Sequence, residues 1–166
     1  MFDPFGRKGK RPTVAADIVV FAKKDKKLHV LLIKRGMPPY KGKWCLPGGF
    51  MEWGETCEET AARELFEETA LKPPRLRQIG AFSRHGRDPR GTVVSVAFMT
   101  VLKSGKNKLK AGDDAAEADW FPLSGLPPLG FDHQEIIAAA QAAARAFAFA
   151  ATRAKVRGCK KAFAKL

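Results

Sequence analysis

Cysteine is scarce in this 166-residue chain: Cys45, Cys57 and Cys159 are odd in number, far apart, and form no CxxC pair. Neither a disulfide framework nor a zinc site is suggested, and the thiols read as reduced and cytoplasmic. Long apolar runs are missing as well. The most apolar late stretch, Ile136 to Ala151, contains Gln141 and Arg145 and reads as a packing helix rather than a membrane span. The start, Met1-Phe2-Asp3-Pro4 followed by Arg7, Lys8, Lys10 and Arg11, has no apolar core for a signal peptide. No internal repeat occurs. The length corresponds to one domain with a sizeable core.

Acidic residues are the other shortage, 17 against 30 basic ones, for a net charge of +13. Such a charge concentrates anions of any kind near the surface. The few acids are unevenly placed: Glu52, Glu55, Glu58, Glu59, Glu64, Glu67 and Glu68 lie between Gly48 and Leu71 with one base, Arg63. An acidic cluster inside a basic protein suits a divalent-cation site amid attraction for phosphorylated substrates, and also suits a solvated acidic helix.

The apolar run Val14 to Ala22 and the segment His29 to Lys34 predict two strands joined as a hairpin. Residues 1–12 read as a flexible basic arm, 13–145 as the folded domain, and 146–166 as a basic C-terminal helix or tail. Pro47-Gly48-Gly49 imposes an irregular backbone that can approach a ligand closely. Thr56 to Thr69 predicts a helix: Thr56 and Glu59 form a capping box, Ala61, Leu65 and Thr69 share a stripe, and Pro73-Pro74 prevents continuation. Further strands are expected at Leu76 to Ser83, Thr92 to Lys103 and Ala118 to Phe121, with a last helix from Asp132. Strands mixed with two helices indicate an α/β layer fold with a mixed sheet.

Glu64, Glu67 and Glu68 project from one helix face within a turn, where like charges destabilise by roughly 0.2 to 0.5 kcal/mol per pair. A hard cation reverses that sign, since magnesium takes oxygen ligands and bridges carboxylates to phosphates. Glu55 and the carbonyls of Gly48 and Gly49 are within sequence reach of the same cage, and Arg63, on another side of the helix from Glu64, can pair with Glu55.

Gly49, five residues, Glu55, seven residues, Arg63-Glu64-Leu65, one residue, Glu67-Glu68, one residue, Ala70-Leu71 resembles the Nudix box of the Nudix hydrolase superfamily. Ala70 departs from the family's usual glycine. It is expected either to continue the helix briefly or to accept a left-handed backbone at a cost of about 1 kcal/mol. The resemblance implies an α/β/α sandwich that hydrolyses a nucleoside diphosphate linked to another moiety. It implies Gly48, Glu64, Glu67 and Glu68 as ligands of Mg2+, with Mn2+ as the alternative, Glu67 and Glu68 also being catalytic, and Gly49, Glu55 and Arg63 as structural support. Magnesium would lower the pKa of the attacking water and neutralise the phosphates.

Leu46 to Phe50, Arg87 to Gly91, Ala111 to Ala115, Trp120 to Leu123 and Phe131-Asp132-His133 are similar to the ADP-ribose pyrophosphatase and nucleoside diphosphate sugar hydrolase branch. That similarity implies Arg84, His85, Arg87 and Arg90 as a diphosphate clamp, with Phe50 and His133 as further substrate contacts. Asp114 and Glu117 are the candidates for the general base. The bland alternatives are a solvated basic turn, solvated loop acids, and a helix-start histidine satisfied by backbone. Of Phe50, Trp53 and Phe82, two are expected in the core.

The expected activity is magnesium-dependent cleavage of ADP-ribose, UDP-sugars or GDP-sugars to a nucleoside monophosphate and a sugar phosphate, by a cytoplasmic homodimer without membrane contact. One alternative is a non-catalytic ADP-ribose sensor, although the 26 residues after Ala140 are too few for a winged helix. Another is a pyrophosphohydrolase that removes oxidised nucleoside triphosphates. The seven bases from Gln141 to Leu166 could bind RNA through phosphates, but specific nucleic-acid recognition is not expected.

Overall fold

β1 spans Thr13–Lys24, and residues 15–22 of it are all buried, which is why the sequence there reads as an apolar run interrupted only by Asp17. Side chains alternate across it. Ala16, Ile18, Val20 and Ala22 enter one core layer with Leu31, Ala61, Leu65, Phe98 and Trp120, while Val19 and Phe21 enter another with Val30, Leu46, Met99, Ile136 and Ile137. One layer lies under helix α1 (Cys57–Thr69) and the other under helix α2, helical over residues 133–146. The result is the expected α/β/α sandwich. The computed structural model describes residues 11–25, 27–73, 75–102, 104–105, 109 and 115–146; the proposed basic arm through residue 10, Asp113, Asp114 and the tail from 147 lie outside the described residues.

Among the described residues the sheet has seven strands. β2 (Lys27–Arg35), β3 (Trp44–Cys45), β4 (Gly48–Phe50), β5 (Arg77–Phe82), β6 (Val93–Leu102) and β7 (Ala115–Pro122) complete it. β1 runs parallel to β6 and antiparallel to β2, so the sheet is mixed as expected. Its order is β3-β2-β1-β6-β5, with β7 on β2 and β4 on β1.

One irregularity matters for function. β1 pairs with β2 from Phe21 to Lys24 but with β4 from Ala15 to Asp17, so the two long strands part company near Ile18. The Ile18 N–H donates to Pro47 O there, at 2.9 Å. Leu46 to Phe50 is thereby inserted between the strands. The sequence marks this segment as irregular, and its three-residue pairing with β1 is not legible from Gly48 and Gly49. β7 likewise begins at Ala115, earlier than expected, because it follows β2 across a bulge at Lys34/Arg35.

α1 starts with the full capping box: Glu59 N–H donates to Thr56 Oγ1 at 3.2 Å and Thr56 N–H to the Glu59 carboxylate at 2.8 Å. Ala61, Leu65 and Thr69 are buried. The helix ends on Ala70 in the left-handed region, φ 60° and ψ 15°, with its N–H on Phe66 O at 2.7 Å. The strained alternative is thus the one adopted. Ala70→Gly is expected to raise stability by roughly 0.5 to 1 kcal/mol, read as a higher denaturant midpoint with unchanged slope.

Candidate active site

The parting of β1 and β2 leaves a cleft of two adjoining chambers. The first, open to solvent, is lined by residues that include Asp17, Leu46, Val93, Phe131 and His133. The second, about 990 Å³ and open to solvent, is lined by residues that include Met37, Met51, Glu64 and Glu68. Arg35, Gly48, Gly49, Phe50 and Arg90 border both.

Glycine is demanded at the junction. A Cβ on Gly49 would lie 2.1 Å from Glu64 Oε1, and one on Gly48, at φ 154°, would lie 2.3 Å from the Ala16 carbonyl oxygen. The carboxylates of α1 therefore press directly on the β4 backbone. Gly48 N–H donates to Glu68 Oε2 at 2.9 Å. Burial pushes the Glu68 carboxyl up to about 8; Glu64 adds to the rise, and the Gly48 hydrogen bond opposes it. Glu64 is also raised, chiefly by burial, with Arg63 opposing.

Arg63 gathers this cluster. Its Nε and Nη2 reach Glu55 at 2.7 and 3.1 Å, Nη1 reaches Glu64 at 2.8 Å and Glu67 at 3.1 Å, and Nη2 also donates to Phe50 O at 3.1 Å. The hydrogen bonds to Arg63 lower Glu55 to about 2. Arg63 was expected to face away from Glu64; in the structure its long side chain curls back, because one guanidinium can serve all three carboxylates. Glu67 is 54% exposed and lines neither chamber. Among the described residues, no three His, Cys, Asp or Glu side chains stand ready as a metal cage. The chemistry of the donors nonetheless fits a divalent cation: Glu64 and Glu68 are desolvated, mutually repelling oxygen donors beside a glycine backbone.

The expected arginine clamp is divided by the structure. Arg87 is buried and forks onto Asp132 through Nε and Nη2 at 2.9 and 2.7 Å, with Nη2 also 3.4 Å from Asp17. Burial lowers the Arg87 pKa, yet its bonds to Asp132 and the charge of Asp17 outweigh that and the net shift is upward. Its donors brace the cleft floor instead of facing solvent. Arg84 pairs with Glu135 at 2.8 Å, and Arg84 and His85 line a separate surface hollow with Ser83, Pro89 and Thr92. Only Arg90 keeps to the cleft edge, its Nη2 2.7 Å from Asp88 and its guanidinium 4.6 Å from the Phe50 ring.

His133 is fully engaged. Its Nδ1 accepts the Leu46 N–H at 2.8 Å, and Nε2 lies 3.5 Å from Asp17 Oδ1. Burial lowers its pKa, with Asp17 opposing. Glu117, a base candidate, lies on β7 in an exposed pair with Lys34 at 2.9 Å and lines neither chamber. Of the three aromatics weighed, only Phe82 packs on the core; Phe50 is exposed at the cleft rim and Trp53 is 100% exposed in the loop after it. Arg35, Asp17 and Phe131 were not anticipated. A lone acid inside an otherwise apolar strand was the available signal for Asp17, and membership of the Phe131-Asp132-His133 segment was that for Phe131; Arg35 gave none.

A family model described as "NUDIX domain" matches residues 11–140. Over 126 residues the chain is 50% identical to an ADP-ribose pyrophosphatase of Methanocaldococcus jannaschii, covering 76% of this chain and 71% of that protein. It is 30% identical over 132 residues to an ADPR responsive transcriptional repressor of Acinetobacter baylyi, covering 76% of this chain but only 52% of the repressor. The solved NUDIX domain of Shewanella oneidensis NrtR complexed with ADP ribose superposes with a TM-score of 0.76 at 32% identity, over 84% of this chain and 92% of that one. Among the described residues no helix is long and apolar enough to cross a membrane.

Arg87→Ala should leave Asp132 and Asp17 buried without their cation and cost about 3 to 5 kcal/mol, measured by equilibrium denaturation. Because the His133 pKa is lowered on folding, its contribution is fully present above its unfolded value near 6.5 and is lost as pH falls through the folded value. Melting temperature should therefore drop on acidification below about pH 6.5, and more shallowly in His133→Gln.

Proposed function

Since the chain belongs to the Nudix family, we propose that it hydrolyses the diphosphate of ADP-ribose to AMP and ribose 5-phosphate, with UDP- and GDP-sugars as further substrates. The observation that carries this reading is the convergence of Glu64, Glu68 and the Gly48-Gly49 backbone on a cleft that Arg35 and Arg90 also border. The 50% identity to an ADP-ribose pyrophosphatase supports the substrate.

In this reading Glu64, Glu68 and the Gly48 carbonyl, joined by Glu67 from the outer edge, hold magnesium or manganese. When bound, the cation supplies charge neutralisation for the diphosphate and a water of lowered pKa. The chain's own work is positional. Arg63 holds the carboxylates on one side of the cleft, the glycine backbone admits the diphosphate closely, and Arg35 and Arg90, at the junction of the chambers, present positive charge to it. Glu117 and Asp114 remain our candidates to accept the water's proton, but Glu117 must first leave Lys34. Glu64 and Glu68, both raised by burial, are the carboxylates of α1 that line the cleft itself.

The similarity to an ADP-ribose-responsive repressor favours a second reading, in which the cleft binds ADP-ribose without cleaving it. Chromatographic product analysis separates the two. Purified protein with magnesium should release AMP from ADP-ribose, and Glu68→Gln should lose at least about 100-fold in kcat with an unchanged circular dichroism spectrum. Retention of more than a few per cent of activity (on the order of the loss expected for a lost metal ligand) would show that the metal site is misassigned. Tight binding of ADP-ribose with no AMP released would select the sensor.

A further inference from the structure

The hydrogen bonds that hold residues 46–50 differ in how a cation in the cleft would act on them. From the α1 side, Glu68 accepts the Gly48 N–H and Arg63 donates to Phe50 O. Both belong to the carboxylate cluster, since Arg63 is shared with Glu64 and Glu67. A cation that draws those acids toward itself competes with this grip. From the other side, the Ile18 N–H donates to Pro47 O at 2.9 Å and the Leu46 N–H to His133 Nδ1 at 2.8 Å. Neither of these bonds uses a group that the cation would take.

The His133 bond is fixed by its surroundings. Residues 129–133 are laid along 44–46: Leu129 bridges Trp44, the Gly130 N–H donates to Trp44 O at 2.9 Å, and a Cβ on Gly130 would lie 2.7 Å from Cys45 Sγ. Phe131 then takes φ 55°, a region in which a bulky L-residue persists only when its surroundings hold it. Its ring lies on the His133 imidazole, the centroids 5.1 Å apart and the planes at 26°. The edge of the imidazole is set as well. A neutral ring that accepts at Nδ1 carries its proton on Nε2, and Nε2 faces Asp17 Oδ1 at 3.5 Å. Asp17 is held in turn by the Ser95 hydroxyl and by Arg87, which forks onto Asp132. It is also the β1 partner of Gly48, its Oδ1 being 2.7 Å from where a Cβ on that glycine would stand. Both ring nitrogens of His133 are thus engaged within the protein, and both contacts lead to the backbone around Gly48.

We propose that His133 is a positioning residue: acting through the Leu46 amide, it holds the Gly48 carbonyl in place for the divalent cation. The metal affinity of the cleft then depends on a hydrogen bond made on the side of residues 46–50 away from α1. A glycine pair is costly to order, and this bond does the ordering before a cation arrives. The proposal rests on the metal-dependent pyrophosphatase reading for the cation, and on the buried contacts of His133 for the positioning.

The test is the affinity of the full chain for Mn2+ without substrate, read from the paramagnetic resonance signal of the free ion. Glu68→Gln marks which binding belongs to the cleft. His133→Leu removes the acceptor and is expected to weaken that site by about 10- to 100-fold. Two amide variants separate the bond from side-chain bulk. The amide oxygen of His133→Asn can stand where Nδ1 stands and should restore most of the affinity. His133→Gln carries its amide out to the place of Nε2 and should bind Mn2+ as poorly as His133→Leu. Loss of melting temperature across the three variants with unchanged Mn2+ affinity shows a structural role alone and overturns the proposal. In turnover, the Mn2+ concentration for half-maximal rate should rise in His133→Leu while KM for ADP-ribose at saturating Mn2+ holds. The reverse pattern makes His133 a substrate contact and also overturns it. Should His133→Leu fail to fold, the difference between His133→Asn and His133→Gln decides, and equal affinity in those two overturns the positioning role. Wild type that binds Mn2+ at the Glu68-dependent site but releases no AMP from ADP-ribose refutes the pyrophosphatase reading alone, and the Mn2+ series still decides the role of His133. Wild type with no Glu68-dependent Mn2+ site overturns it.

Discussion

The guanidinium of Arg63 is the interaction on which the carboxylate end of the cleft depends. Four acceptors converge on it: the side chains of Glu55, Glu64 and Glu67 and the carbonyl of Phe50. Without a cation at that point, three acids would repel across a single turn of α1 and against the loop before it. With it, each is held at a defined angle, and the strand that carries Gly48 and Gly49 is fastened to the same group. Five donors in a rigid fork make this possible; a lysine ammonium has the charge but not the geometry.

A second anchor lies on the other side of the inserted segment. Asp17 from β1, Arg87 from the β5–β6 loop and Asp132 at the start of α2 form a buried group to which Ser95 and His133 add hydrogen bonds or contacts. His133 carries that group to the backbone of Leu46. The segment Leu46 to Phe50 is therefore gripped at both ends, by Arg63 through Phe50 and by His133 through Leu46. Its glycines can be conformationally demanding because everything around them is tied down.

Local features of the chain were readable in advance, and distant ones were not. The capping box of α1, its buried stripe and the stop before Pro73 depend on residues within four positions of one another, so pattern alone reveals them. The pairing of Arg87 with Asp132 spans 45 residues, and no local rule distinguishes it from a basic turn beside a helix-start acid. Arg35 ends an apolar strand and looks like an ordinary solvated terminus until the bulge at Lys34/Arg35 and the divergence of the strands turn it toward the cleft. The backbone of Phe131 was hidden for a different reason. Glycine advertises a left-handed backbone, whereas phenylalanine gives no sign that tertiary packing has forced it there.

The parallel pairing of β1 with β6 joins Thr13 to Val93 and Ala22 to Leu102, and the Asp17–Arg87–Asp132 group adds a third, later stretch of chain. Contacts of such separation form late, after the entropy of closing long loops has been overcome. The carboxylate-bearing face of α1 is local and can be present early in synthesis, while the wall of the first chamber that Phe131 and His133 supply exists only once the start of α2 has docked. A growing chain thus acquires its acids well before it acquires the means to recognise a substrate, which delays recognition of the substrate until the fold is closed.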